Sequence, residues 1–445
     1  MHWEKFADSA AMNLYLEEKL VLNNRYSTDS IMGVPASVLD REIFPYSIAP
    51  DSIYWKLLRE NPNHIGCHTL SGSEPFFRGT QEIEKELLQI CAKEILGAEA
   101  DDYDGYVSSG GTESNIQALW IFRNRYILEN CVQEADQADP DALQHCFLRH
   151  IQDIDVICSE DTHYSVHKAA NILNLHQTDI PVDERTRQIR LDILSDHIDQ
   201  EQAGGKKFFI IVLNMGTTMF GSVDEVAPIT DVLDAKQVDY VIHIDAAFGG
   251  FIYPFTCLEN KLSFRNRKIS SFTLDAHKML QAPYGTGIFL IRRQADGRSL
   301  LDYVTTVKAG YVKGFDSTLC GSRSGANAVS IWMILKMYGA DGGTAFCQDL
   351  LRRTELICSA LESLGVEYFR NPFMNIVALR ASEKIRPVAE RHHLVPDSHD
   401  GAACWYKIVV MDHVSEEMID AFLQDMKKTL VGQTCEQAAA KGGKV

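Results

Sequence analysis

The sequence predicts an α/β protein: a mostly parallel sheet covered by helices on both faces, followed by a small α+β domain. Three observations predict it. Strand-like and helix-like segments alternate through the middle of the chain. Phe208 to Leu213 is a continuous apolar run, as expected of a strand buried on both faces. Past Arg323 the pattern turns helical and then mixes strands with a helix. At 445 residues the chain has room for two or three domains. The expected division is an N-terminal arm over 1–60, a large domain over 61–315 and a small C-terminal domain over 316–445.

Taken in order, residues 1–60 carry turn signals such as Asn23-Asn24 and Pro45 and read as an arm with short helices. From Gly79 to Leu96 the spacing of Ile83, Leu87, Leu88, Ile90, Cys91 and Ile95 is helical. Glu129 to His150 is acidic and weakly patterned, and reads as a surface excursion. Val156-Ile157-Cys158 reads as a strand and Ser165 to Leu175 as a helix. Val226 to Val238 fits a helix, with Pro228 tolerated in its first turn. Further strands are expected at Tyr240 to Ile244, Phe272 to Leu274 and Gly287 to Ile291. Val329, Trp332, Met333 and Leu335 mark a helix; Ile376 to Leu379 and Tyr406 to Val410 mark strands; Glu416 to Met426 marks a final helix.

Hydrophobic residues make up 45% and charged residues 23%, which excludes disordered, collagen-like and coiled-coil classes. Lys plus Arg is 43 against 61 Asp plus Glu, a formal charge of −18. Such a chain has no broad electrostatic drive toward nucleic acid or anionic membrane. The 11 cysteines are scattered without a CxxC pair, and read as reduced core residues of a cytoplasmic protein. The first residues lack a basic region followed by an apolar run, and no apolar stretch reaches the roughly 18 residues of a membrane span.

Four segments carry chemistry. In SFTLDAHKMLQAPYGTG, Lys278 follows a short apolar strand and His277 precedes it. A lysine desolvated there suits Schiff-base formation, although a surface lysine with a snorkelling stem is the plainer reading. In YVIHIDAAFGGF, Asp245 ends an apolar strand at the edge where open α/β sheets bind ligands, and Ala247 and its small neighbours leave room for a flat ring. In GYVSSGGTESNI, Gly110 and Gly111 precede a helix whose N-terminus would attract phosphate; a plain turn capped by Thr112 is the alternative. In SEDTHYSVHKAANIL, His163 lies between strand and helix, where it could stack on a ring or donate a proton. One cofactor needs all four: pyridoxal 5'-phosphate requires an imine lysine, a carboxylate on its ring nitrogen, a phosphate cup and a group against the ring face.

These segments resemble the group II amino-acid decarboxylases, pyridoxal-phosphate enzymes of fold-type I that include glutamate, histidine, tyrosine and aspartate decarboxylases and the related sphingosine-phosphate lyases. The resemblance runs from about Gly66 to Met426. SSGGTESN resembles the phosphate cup and THYSVHKAA the segment of the ring-stacking histidine. MGTTMFGSVDEV offers Thr217 and Thr218 near the ring. HIDAAFGG resembles the pyridine-binding motif, with Asp245 on the nitrogen and Ala247 against the ring. DAHKML resembles the Schiff-base motif, with His277 touching phosphate. TLCGSRSG resembles the segment that reaches the neighbouring subunit's phosphate, which maps to Gly321 and Ser322. The resemblance implies a seven-stranded cofactor domain, a homodimer with active sites at the interface, and loss of the α-carboxylate of an L-amino acid as carbon dioxide. It implies a loop tyrosine as proton donor to the α-carbon, either Tyr303 or Tyr311. The sequence departs from the pattern at Lys407, where the family often carries arginine, which puts a carboxylate clamp there in question.

Two other functions fit the same segments: a carbon–carbon lyase like the sphingosine-phosphate lyases, and a non-catalytic homologue that binds the cofactor. The substrate side chain is open. Arg78 is a candidate partner for an acidic side chain, with surface solvation as its plainer role. His64 and His68 flank Cys67 without a third ligand, so no metal site is expected.

Overall fold

The computed structural model describes residues 8–26, 28–45, 52–66, 75–99, 102–134, 140–305 and 316–441. Helices α1 (Ser9–Leu20), α2 (Ile53–Glu60) and α3 (Arg78–Gln89) lead into the large sheet, α3 closing on a π-helical turn. Then follow β1 (Tyr103–Ser108), α4 (Gly111–Glu134), α5 (Pro140–His150), β2 (Ile154–Ser159), α6 (Ser165–Ile172), β3 (His176–Ile180), α7 (Leu191–Ala203), β4 (Phe208–Asn214), α8 (Val226–Ala235), β5 (Asp239–Ala246), α9 (Tyr253–Thr256), β6 (Ile269–Asp275), α10 (Ala276–Met279) and β7 (Gly287–Arg292). The C-terminal part comprises α11 (Gly325–Ser363), β8 (Tyr368–Phe369), β9 (Ile376–Arg380), α12 (Arg386–Arg391), β10 (Val395–Pro396), β11 (Trp405–Val409) and α13 (Glu416–Lys441).

Seven strands form one sheet in the order β1-β7-β6-β5-β4-β2-β3. The run from β6 to β3 is parallel, and β7 is antiparallel to both its neighbours. Strand β4 shows why the sheet is buried on both sides. Phe209, Ile211 and Leu213 enter one core with α3, α7 and α8, whereas Phe208, Ile210 and Val212 enter another with α4 and α6. A second, antiparallel sheet has the order β10-β11-β9-β8. It packs with the end of α11, with α12 and with α13 around Ile357, Leu361, Ile408 and Phe422. Helix α11 spans both parts and bends at Gly339, whose φ of 61° places it in the left-handed region.

Several expectations are corrected. Glu129 to His150 is no surface excursion: α4 continues to Glu134, and α5 occupies Pro140–His150. Cys131 and Cys146, read as reduced thiols, are bonded as a disulfide between these two helices. Part of the N-terminal arm joins the small core, with Met32 buried against it and Val409 N–H donating to Met32 O. The helix expected to end at Val238 stops at Ala235, and the last helix runs well past Met426.

Strand β7 comes so close to the turn after β1 that only glycine fits at 287. A Cβ there would lie 2.4 Å from Ser108 Oγ and 2.5 Å from Gly110 Cα. Gly287→Ala is therefore expected to destabilise the protein by about 2 kcal/mol or more, read as a lowered urea midpoint against wild type.

Candidate active site

The four chemistry-bearing segments converge at the C-terminal ends of the parallel strands, with the β1–α4 turn brought alongside by β7. They line a cavity of about 310 Å³. Ser109, Gly110, Gly111 and Thr112 come from the turn, His163 from the loop after β2, Asp245 and Ala247 from the end of β5, and Asp275, His277 and Lys278 from the β6–α10 junction. A small adjoining cavity shares His163, Asp245, Ala247 and Lys278, and adds Thr217 and Thr218.

The turn caps α4 through glycine rather than through Thr112. Ser114 N–H donates to Gly110 O at 3.1 Å, and Gly110 has a φ of 151° that L side chains rarely adopt. Thr112 lies inside the first turn, where N–H groups have no intrahelical acceptor and face the positive end of a 24-residue helix. Gly111 keeps the floor open: a Cβ there would sit 3.0 Å from Asp275 Oδ2 and 3.1 Å from Ala247 Cβ.

Asp245 is held at the strand end by two donors. Asn115 Nδ2 donates to its Oδ2 at 2.8 Å, and Ala247 N–H donates to its Oδ1 at 3.1 Å. The same Nδ2 donates to Ser165 Oγ at 2.8 Å, which leaves the serine proton for His163 Nδ1, also at 2.8 Å. His163 thus accepts at Nδ1 and carries its proton on Nε2. Burial lowers the His163 pKa, against the raising effect of Asp245, and favours this neutral form. On the other side, Asn115 Oδ1 accepts from Thr273 Oγ1 at 2.8 Å and from His243 Nε2–H at 2.9 Å.

Lys278 Nζ lies 3.2 Å from Asp275 Oδ2. His277 Nε2 lies 3.6 Å from the same oxygen. Asp275 Oδ1 and His277 Nδ1 are buried without a hydrogen-bond partner among the described residues. Buried polar atoms are ordinarily satisfied, so this cavity suits a polar occupant. An anion at the α4 N-terminus, a flat ring beside Ala247 and a protonated ring nitrogen on Asp245 match its donors and acceptors; the residues present fit pyridoxal 5'-phosphate.

Other predicted residues lie elsewhere. The Tyr303 hydroxyl donates to Glu129 Oε1 at 2.5 Å and accepts from Gln294 at 3.3 Å, and its ring packs with the α4 core. Tyr311 falls outside the described residues. Gly321 and Ser322 do not line this chain's cavity; Gly321 O accepts from Gly66 N–H, and Ser322 Oγ accepts from Asn63 Nδ2 at 3.1 Å. Arg78 is exposed and pairs with Glu82. His64 is buried between Glu84 and Thr80 Oγ1, while Cys67 and His68 are outside the described residues.

Sequence reasoning missed the supports. Asp275 stood unremarked three residues before Lys278. Glu84 is wholly buried, accepting from Arg323 Nη1 at 2.7 Å and Val107 N–H at 2.8 Å, with His64 on its other oxygen. Burial alone would raise the Glu84 pKa, but Arg323 and His64 hold it down to about 2. Arg323 also donates to Val107 O and Gly66 O, and so ties the 317–324 loop to β1. Lys407, weighed only as a departure, is 3% exposed, and burial together with the Lys278 charge lowers its pKa to about 8.

Comparison with known proteins gives the same picture. Residues 79–375 match the pyridoxal-dependent decarboxylase conserved domain. The chain is 39% identical over 428 residues to the tryptophan decarboxylase of Clostridium sporogenes, covering 96% of this chain and 97% of that one. It is 30% identical over 367 residues to a probable L-tyrosine/L-aspartate decarboxylase of Methanocella arvoryzae, covering 82% and 87% of the two chains. Among solved structures, a sphingosine-1-phosphate lyase from Burkholderia pseudomallei superposes with a TM-score of 0.75 at 18% identity, over 99% of this chain and 94% of that one. An L-methionine decarboxylase from Streptomyces superposes with a TM-score of 0.71 at 20% identity, over 95% of each chain. At such identities these two likenesses establish the fold.

His243 makes the support network sensitive to acid. Burial lowers its pKa from 6.5 to about 4. Between those values the unfolded chain binds a proton that the folded chain does not, so stability falls as pH falls. The loss reaches about 3 kcal/mol near pH 4, at 1.36 kcal/mol per pH unit. Urea midpoints measured from pH 6.5 down to 4.5 should drop in wild type and drop less steeply in His243→Gln.

Proposed function

Because the chain belongs to the pyridoxal-dependent decarboxylase family and removes the carboxylate of an amino acid as carbon dioxide with pyridoxal 5'-phosphate as cofactor, we propose that its substrate is an aromatic L-amino acid, tryptophan first, and that Lys278, Asp245 and His163 carry the reaction. The observation that carries the site assignment is that the glycine cup, Asp245 and Lys278 line one cavity. The tryptophan assignment is supported by the relative that is 39% identical over 96% of this chain. The lyase alternative is supported by an 18% identical neighbour, which speaks to fold and not to reaction.

Lys278 Nζ would hold the cofactor covalently, Gly110, Gly111, Thr112 and His277 its phosphate, and Thr217, Thr218 and Ala247 its ring. Once bound, the cofactor supplies an electron sink for the pair left behind when the carboxylate departs. Asp245, kept as an acceptor by two donors, holds a proton on the ring nitrogen and so keeps that sink effective. His163 presents an Nε2–H, a donor held in place from Nδ1 by Ser165. Lys407 offers a compact positive charge for a carboxylate, without the two-pronged fork of arginine. Tyr311 is the proposed proton donor to the α-carbon, since the Tyr303 hydroxyl is engaged with Glu129.

The proposed assembly is a homodimer in the cytoplasm. Gly321 and Ser322 lie outside this chain's own cavity, which supports their serving a partner's cup. Seven described cysteines are free, which suits a reducing compartment despite the Cys131–Cys146 bond.

The test is carbon dioxide release from each amino acid by purified, cofactor-loaded protein. Release from tryptophan and not from aspartate or glutamate is expected; the reverse order would sink the substrate assignment. Lys278→Ala should abolish the borohydride-reducible visible band and turnover together. Asp245→Asn should keep the cofactor bound and lower kcat by about two orders of magnitude or more, an effect of the size electrostatic stabilisation commonly supplies. If Lys407 holds a carboxylate, kcat/KM should fall as pH rises through about 8, where its charge is lost. That alkaline limb should move upward in Lys407→Arg, as stopped assays across pH would show.

A further inference from the structure

The opposite end of the large sheet carries a cluster that the decarboxylation does not use. Asp155, in β2, is fully buried, and each of its carboxylate oxygens faces an imidazole. His176 Nδ1 lies 2.8 Å from Oδ1 and His197 Nε2 lies 2.8 Å from Oδ2. His176 begins β3 and pairs directly with Asp155 in the parallel register. His197 and Glu201 are four residues apart on α7 and share one face. Ligand atoms of Asp155, His176 and Glu201 all lie within 4.8 Å of one another. Asp155 is in register with Phe209 and, through it, with Tyr240, five residues before Asp245. At about 3.3 Å per residue the cluster is therefore roughly 16 Å along the strands from the active site.

The geometry points to a divalent-cation site of the zinc class, built from Asp155, His176 and Glu201 with a water in the fourth position, while His197 holds the second carboxylate oxygen of Asp155 from behind. One imidazole and two carboxylates suit zinc, cobalt or nickel better than calcium or magnesium, which favour all-oxygen sets. With bonds of about 2.0–2.2 Å, tetrahedral ligand atoms stand roughly 3.4 Å apart. The present 2.8 Å contact between His176 and Asp155 opens by roughly half an ångström to admit the ion. The neutral His176 ring frees Nδ1 by carrying its proton on Nε2, so no proton is lost overall. The half-exposed His176 leaves a path for entry. The ion would join β2, the edge strand β3 and α7, a stabilising role remote from catalysis.

The test uses full-length, cofactor-loaded enzyme, chelator-treated and freed of unbound cofactor, titrated with zinc chloride by equilibrium dialysis and with cobalt chloride by visible d–d absorption. One equivalent should bind, with tetrahedral cobalt bands, and raise Tm by about 2 °C or more at a hundredfold excess over Kd. His176→Gln and, separately, Glu201→Gln should abolish the cobalt bands and the Tm rise while leaving turnover unchanged. His167→Gln tests a competing group, Cys158, His167 and Asp179, and should change nothing. Absence of binding, binding untouched by His176→Gln and Glu201→Gln, or loss only in His167→Gln would each overturn the assignment. If His176→Gln fails to fold, the part-exposed Glu201 gives the same reading on its own.

Discussion

One buried amide organises the active site. Asn115 donates from Nδ2 to Asp245 and Ser165 and accepts at Oδ1 from Thr273 and His243, so a single side chain joins α4, α6, β5 and β6. Only an amide offers two donors and two acceptors without a charge. A carboxylate there would meet Asp245 with like charge, and an apolar residue would strand several buried polar atoms. Its orientation also follows from the network, because the nitrogen must face the carboxylate. Through Ser165 the same amide decides which nitrogen of His163 bears the proton. The site's electrostatics are thus set one layer behind the residues that would touch the cofactor.

A second buried group does for the site's rim what Asn115 does for its floor. Glu84 compensates its burial with Arg323, His64 and a backbone N–H. Removing one partner of such a group leaves the other uncompensated, which is far costlier than never having buried either. The 62–66 segment, β1 and the 317–324 loop are therefore held as one unit. Lys407 approaches from the small sheet as a buried cation in the field of Lys278.

Much of this was legible in the sequence. β4 and β5 are buried on both faces, and their apolar runs announce them. β1 was passed over because Asp104 and Gly105 break its run, although both sit in a buried strand. β3 was passed over because it is an edge strand with a polar sequence, HQTDI. The motif residues could be read because each chemistry-bearing group lies beside its own glycine, alanine or histidine signature. Asn115, His243 and Thr273 could not, because their partners lie 28 to 158 residues away, and no local spacing encodes such a pairing.

That long reach has a consequence for how the chain acquires its cofactor. The contacts that build the cavity are non-local, and loop closure must come before them, so the pocket is a late product of folding and the fold is a slow one. The antiparallel return of β7, which seats the glycine turn, cannot occur until β6 is in place. Nascent chains carrying only the first half of the protein have the cup without its carboxylate or its lysine. Pyridoxal phosphate, whose cavity exists only in the folded chain, would stabilise that chain by mass action.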